Sequence, residues 1–308
     1  MSGYAEVLET DRRLLWGLCY RMTGNAADAD DLVQETFVRV IEKPPRRTDE
    51  PLRPWLIRVA INLSRDLLRR RKRHAYVGPW LPSPVPTDEE IPASYEPPAP
   101  NEDSPVARYD LKESISFAFL LALEALSPTQ RAVLLLRDVI DYSTSDTAEA
   151  LDMSEANVKV VLLRARRKMK EYDKDRTSIN PARQEATRRA LDQFLLYLAA
   201  RDANGLERLL TEDVVNLSDG GGELNAARRP IRGRENVLRL ILGLAKKSLV
   251  RPTFTVRMLN GFPAIVVEDL PATPKTASRY TIHFEVTGEG LICGLYAVIA
   301  PGKLSEIK

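Results

Sequence analysis

The chain has 308 residues, too many for one small domain and enough for two or three at roughly 100–200 residues each. Its 45 Lys and Arg against 43 Asp and Glu leave a formal net charge of +2, so any surface for nucleic acid has to be local. Two cysteines (Cys19, Cys293) and two histidines (His74, His283), each far from its twin, exclude a disulfide framework and a Cys/His zinc module, and the longest uncharged apolar run, residues 291–300, is far shorter than the roughly 20 residues a bilayer requires.

Composition shifts divide the chain into residues 1–73, net basic; 74–108, net acidic; 109–175; and 176–308. The second stretch holds nine of the 21 prolines, which denies it helix and sheet and predicts a semi-extended linker. The first block reads as helices at 4–22, 26–42 and 54–73, broken at Gly24-Asn25 and at Pro44-Pro45. In the second helix Leu32, Val33, Phe37, Val40 and Ile41 make an apolar face, and Asp28, Asp31, Gln34, Glu35 and Arg39 point outward. The third opens apolar and closes on Arg69-Arg70-Arg71-Lys72-Arg73. Such a run is either a solvated end favoured by the helix dipole or a set of phosphate contacts.

In the third block Ser127-Pro128-Thr129-Gln130 is a capping box with proline at the first helical position, so a helix runs over 128–139. Ser143-Thr144-Ser145-Asp146 starts a short helix to Leu151, and Ser154 caps a longer one ending near Tyr172. Two short helices joined by a turn, the second basic, form a helix-turn-helix pattern. On that second helix Val158, Val161, Leu162, Ala165 and Met169 share the inward side, while Ala156, Val160, Leu163, Arg164 and Arg167 lie opposite with Lys159 at the rim. Aliphatics exposed among cations would suit thymine methyls in a major groove.

The last block reads as helices at 183–201, 203–210 and 233–246, with a strand at 213–218. Alternation over Phe254, Val256 and Met258, the hairpin dipeptide Asn260-Gly261, and alternation over Tyr280, Ile282, Phe284 and Val286 follow. Helices followed by a meander make an α+β domain. His283 falls on the face opposite Tyr280, Ile282 and Phe284 and is expected in solvent, a structural rather than catalytic residue. Asp219-Gly220-Gly221-Gly222 is either a flexible turn needing positive φ or a docking loop, and both readings stay open.

Residues 28–37 (Asp-Ala-Asp-Asp-Leu-Val-Gln-Glu-Thr-Phe), residues 54–62 followed by Asp66 and Arg69-Arg70-Arg71, residues 126–137 and residues 154–168, in this order, resemble the bacterial sigma factors of the extracytoplasmic-function (ECF) type. The resemblance implies that Asp31, Gln34 and Glu35 meet the core RNA polymerase. It implies that Arg58, Asn62, Arg69, Arg70 and Arg71, with the loop 44–54, hold the minus-ten element and a flipped base. It also implies that Arg137, Lys159, Val160, Leu163 and Arg164 contact the minus-thirty-five DNA. Where the family often has Lys/Arg-Ser-Arg, this chain has Lys159-Val160-Val161, so its upstream sequence is expected to depart from the commonest consensus.

Residues 76–84 (Tyr-Val-Gly-Pro-Trp-Leu-Pro-Ser-Pro), 219–223 and 300–304 look like signatures of the SigJ-type subgroup, which carries a C-terminal SnoaL-like domain of the NTF2 superfamily. Ser83 stands where that subgroup usually has an acidic residue, and Ala300-Pro301-Gly302 where it usually has Asn-Pro-Asp. The resemblance assigns regulatory contacts to Trp80, Leu81, Pro82, Asp219, Gly220, Gly221, Gly222 and Lys303.

The expected architecture is thus multidomain: two all-α sigma domains and a C-terminal α+β NTF2-like cone. The expected function is promoter-specific initiation with the C-terminal domain modulating it in cis. Core polymerase and promoter DNA are the expected partners, with a small molecule in the cone left open. A cytoplasmic protein is expected, with no membrane contact, cofactor, metal or catalysis of its own. Two alternatives are a metabolite-responsive DNA-binding regulator and a bifunctional protein with a cyclase-type domain.

Overall fold

The computed structural model describes residues 2–43, 52–71, 76–87, 108–174, 176, 179–247, 252–271, 273 and 275–307. The chain divides into two compact units. One comprises residues 1–75, 90–115 and 119–176; the other comprises 76–89, 116–118 and 177–308.

The first unit begins with α1 (Ser2–Thr23), α2 (Ala26–Glu42) and α3 (Leu52–Arg71), whose facing sides bury Leu15, Leu18, Met22, Val33, Leu56, Ile57 and Ile61. Cys19 lies inside this core, and burial pushes its thiol up to about 12. It continues with α4 (Phe117–Leu123), whose first two residues belong to the second unit, α5 (Pro128–Asp138), α6 (Thr144–Leu151), α7 (Glu155–Lys168) and the short α8 (Lys170–Lys174). The predicted capping boxes form: Ser127 accepts from Gln130 N and Ser143 from Asp146 N, each with the reciprocal bond.

The two helical blocks share one unit rather than standing as separate globules. Arg131 of α5 donates to the Met22 carbonyl at 2.7 Å and to the Leu123 carbonyl at 2.8 Å. Arg21 donates to Ser114 Oγ at 2.6 Å and to the Leu111 carbonyl at 2.9 Å. Met22 is in the last turn of α1, where carbonyls lack helical partners and carry the negative end of the dipole, so a guanidinium there satisfies both. Burial lowers Arg21 to about 10, which leaves it charged at neutral pH.

The second unit holds α9 (Pro181–Ala200), α10 (Ala203–Leu209), α11 (Arg234–Lys247) and six strands: β1 (Leu210–Asp219), β2 (Ile231–Arg232), β3 (Thr253–Leu259), β4 (Phe262–Glu268), β5 (Tyr280–Val286) and β6 (Ile292–Val298). They form one sheet in the order β2-β1-β6-β5-β4-β3, antiparallel except for the parallel pair β1/β6. Leu191 and Phe194 of α9, Leu206 of α10 and Val237 of α11 pack with Ile265, Val267, Phe284 and Leu295 of the sheet. This is the expected α+β architecture, and side chains fill the space between sheet and helices. Strands β4 and β6, which lack alternation, were not among the predicted elements.

Candidate functional site

Helix α2 starts at Asn25, whose side chain accepts from Asp28 N, and it buries Ala26, Ala29, Leu32, Val33, Thr36 and Val40. Asp31, Gln34 and Glu35 are exposed, as predicted. Ile41 is not on the apolar face: it is 73% exposed. At 100° per residue Ile41 falls outside the buried arc, and Thr36 takes the inner place because its hydroxyl can donate to the Leu32 carbonyl at 2.7 Å.

On α3, Trp55, Arg58, Val59, Asn62, Leu63 and Asp66, with Arg39 of α2, line a pocket of about 210 Å³. It offers an indole face for stacking and an amide for hydrogen bonding. Arg65 Nη1 donates to Asn62 Oδ1 at 3.1 Å, leaving the amide NH2 as its donor end. The basic residues behind it differ in use. Arg70 is exposed, Arg69 pairs with Asp66 at 3.1 Å in the open, and Arg71 is bound to Asp28 and to the Thr23 carbonyl. Arg71 is therefore tied to α2. Lys72, Arg73 and residues 44–51 of the predicted base-holding loop lie outside the described residues.

Helices α6 and α7 meet at Asp152, which takes a left-handed φ of 53° and ends α6 in two backbone bonds. Ser154 then caps α7 by accepting from Asn157 N. Val158, Leu162, Ala165 and Met169 are buried, while Ala156, Lys159, Val160, Leu163, Arg164 and Arg167 are exposed, the division read from the helical period. Arg166 is withdrawn from that face: Nε and Nη2 grip the buried Asp138 carboxylate at 2.9 and 2.6 Å. That pairing raises the Arg166 pKa. Arg137, expected on DNA, is only 9% exposed. It sits in α5, whose residues 131–138 are all buried, so this helix is the centre of its bundle and presents no outward face there.

The linker signature and the two C-terminal signatures converge. Asp219, the last residue of β1, is fully buried. Its Oδ1 accepts from Tyr76 Oη at 2.5 Å and Gly221 N at 3.0 Å. Its Oδ2 accepts from Leu81 N at 2.8 Å and Lys303 Nζ at 2.7 Å. Lys303, buried as well, also donates to the Leu81 carbonyl and lies 4.2 Å from the Trp80 ring centroid and 5.1 Å from that of Tyr76. Gly221 and Gly222 have φ of 68° and 82°, and a Cβ on Gly222 would stand 3.1 Å from Val77. Both readings of the glycine run therefore hold: it turns the chain and lets the linker come close. Gly220 packs against the Leu224 carbonyl, and Pro82 is buried.

Farther along, the linker joins the sheet. Thr87 N donates to the Met258 carbonyl at 2.8 Å, Asn260 N to the Val85 carbonyl at 2.9 Å and Val85 N to Asn260 Oδ1 at 2.9 Å, making an isolated bridge between Pro86 and Leu259 at the edge strand. The expectation that proline density bars this segment from sheet is corrected here. An edge strand needs bonds from one side only, and Val85 and Thr87 supply them around Pro86. Asn260 was read as a hairpin residue; its second role as a docking group carries no signal beyond the Asn-Gly dipeptide. Residues 88–107 of the linker lie outside the described residues.

His283 lies on the predicted face but not in solvent. It is 5% exposed, stacked on Phe117 with ring centroids 3.7 Å apart and 17° between planes, and its Nε2 meets Thr281 Oγ1 at 3.2 Å. Burial lowers its pKa to about 3. An imidazole held neutral under an aromatic ring is poorly suited to acid–base work near neutrality. Among the described residues, no cluster of His, Cys, Asp and Glu could hold a metal ion, and no helix is long and apolar enough to cross a membrane.

Residues 7–74 match the family model for Sigma-70 region 2, and residues 116–169 that for Sigma-70, region 4. The chain is 30% identical over 302 residues to the ECF RNA polymerase sigma factor SigJ of Mycobacterium tuberculosis, covering 96% of this chain and 92% of that protein. It is 37% identical over 214 residues to SigG of the same organism, covering 66% of this chain and 56% of the relative. A crystal structure of M. tuberculosis SigJ aligns with a TM-score of 0.73 at 26% identity, over 98% of each chain.

Proposed function

Because the chain belongs to the extracytoplasmic-function sigma factors of RNA polymerase, we propose that α2 seats it on the polymerase core, α3 and α7 read the two promoter elements, and the C-terminal unit governs in cis when those readers act. The observation that carries this reading is positional. The Trp55/Asn62 pocket and the exposed face of α7 fall inside residues 7–74 and 116–169, the stretches that match the two sigma-70 regions. On α2, Asp31, Gln34 and Glu35 are exposed, and the Glu35–Arg39 ion pair is too exposed to hold the carboxylate back from a partner. Reversing charge in Asp31→Arg/Glu35→Arg should weaken association with core polymerase about tenfold or more while leaving thermal unfolding unchanged. Undiminished co-purification of that variant with core would overturn the assignment of α2.

Regulation follows from reach. Promoter elements centred near minus ten and minus thirty-five are roughly 25 base pairs apart, on the order of 80 Å at 3.4 Å per pair. Helical modules tied by Arg21 and Arg131 must part to reach both. The C-terminal unit includes residues 76–89, hence the first part of the 74–108 tether between the modules. Contacts within one chain act at an effective concentration in the millimolar range, so the Asp219–Lys303 seat for the linker can hold the tether without a separate regulatory protein. This reading gives the C-terminal unit a segment of its own chain as partner, in place of a small molecule in the cone. Turnover is not part of it, given the covered, neutral His283. As a polymerase subunit the protein works in the cytoplasm.

A further inference from the structure

We propose that Val160 and Leu163 read thymine methyl groups in the upstream promoter element, so that upstream recognition by this chain depends on the 5-methyl group itself. The proposal rests on the reading of α6 and α7 as the upstream DNA-binding pair and adds what that pair detects.

The orientation of α7 is fixed from inside. Val158, Leu162, Ala165 and Met169 are buried, and Arg166 is bonded twice to Asp138, so the helix cannot roll to present another face. At 100° per residue, Ala156, Val160, Leu163 and Arg167 run down the middle of the outward face, with Lys159 about 60° to one side of Ala156 and Arg164 about 80° to the other. Val160 is 46% and Leu163 53% exposed, an aliphatic pair between two cationic rims. The rims match the phosphate walls of a groove, and this charge complementarity commits the face to duplex DNA. The centre then faces base edges, as the early turns of a recognition helix do.

Val and Leu carry no donor or acceptor, so they cannot read the N7, O6, N6 or N4 positions. The major-groove feature they can meet favourably is the C5 methyl of thymine. Arg166 is held by Asp138 and takes no part in that face.

The test uses the full chain bound to core polymerase and duplexes selected by that holoenzyme from a library randomised across the upstream element. Each selected thymine is replaced by deoxyuridine, which removes only the methyl, and each cytosine by 5-methyldeoxycytidine, which adds one. Wild-type holoenzyme should lose about fourfold in affinity per contacted methyl, the factor expected for withdrawing one such group from an apolar contact. The Val160→Ala/Leu163→Ala protein should bind thymine and uracil duplexes equally while keeping its salt dependence, since Lys159, Arg164 and Arg167 remain. Both side chains are exposed, so folding is not at stake, and circular dichroism of the variant verifies it. Equal binding of thymine and uracil duplexes by the wild type overturns the proposal, as does persisting discrimination by the double variant. A holoenzyme that binds no selected duplex at all overturns instead the sigma-factor reading beneath it.

Discussion

Among the described residues Asp219, fully buried, accepts four hydrogen bonds on two oxygens, and its ionic partner there, Lys303, is buried too. Removing either charge strands the other, which typically costs roughly 3–5 kcal/mol, whereas removing both is far milder. Asp219→Asn and Lys303→Met should each lower the unfolding midpoint of the C-terminal unit by on the order of 10 °C, and Asp219→Leu/Lys303→Met by much less. Scanning calorimetry of the three variants checks the pattern; equal small shifts in all of them would contradict the buried pair. His283 gives a pH signature of opposite sign to that of a salt-bridged histidine. Its folded pKa of about 3 lies below the unfolded 6.5, so as pH falls from 6.5 the unfolded chain takes up a proton that the folded chain refuses. Stability is thus fully present above pH 6.5 and is lost toward pH 3, at up to about 1.4 kcal/mol per pH unit. His283→Phe keeps an aromatic under Phe117 and should flatten that acid limb; an unchanged limb in urea titrations between pH 6 and 4 would refute this origin.

At the scale of elements, the linker strand is the testable piece. Asn260 stands at φ 52°, accepts from Val85 N and donates to the Val85 carbonyl, so Asn260→Ala loses a hydrogen bond and places an alanine in the left-handed region. The variant should lose about 2 kcal/mol from the C-terminal unit and expose residues 76–87 to proteolysis, which a protease time course would reveal; protection equal to wild type would mean the bridge holds nothing. Helices α2, α5, α6 and α7 were legible in advance because each announces itself with a local device: the Gly24-Asn25 break, two capping boxes, the Ser154 cap, and a 3.6-residue apolar period. Strand β4 was not, because residues 263–267 are buried in succession and so show no alternation. Arg137 was assigned to DNA by the family resemblance alone; whether its helix has an outward face is decided by the neighbours packed around α5, which no local pattern records. On α7, where one face is open, the helical period placed every outward side chain correctly.

At the scale of the whole molecule, the bonds that hold the linker join residues from 138 (Leu81 with Asp219) to 222 (Leu81 with Lys303) positions apart along the chain, beyond any periodicity in the sequence. The three signatures could be singled out as motifs, but only the fold puts the linker aromatics, the glycine turn and Lys303 around one carboxylate. The same fold makes point variants cleaner than truncation as probes of regulation. Deleting residues 177–308 would also uncover Leu81, Pro82 and Pro84, which are buried within the C-terminal unit. Lys303→Met, which releases the seat while keeping the domain, should change promoter output relative to wild type in a reconstituted reaction. The most direct measurement of the account is run-off transcription by core polymerase freed of other sigma factors, on a linear template bearing a promoter selected by the holoenzyme, with permanganate probing of the minus-ten thymines. A discrete transcript and reactive thymines that require the chain are predicted. Core and chain bound to one another yet giving neither transcript nor open thymines above core alone would contradict it.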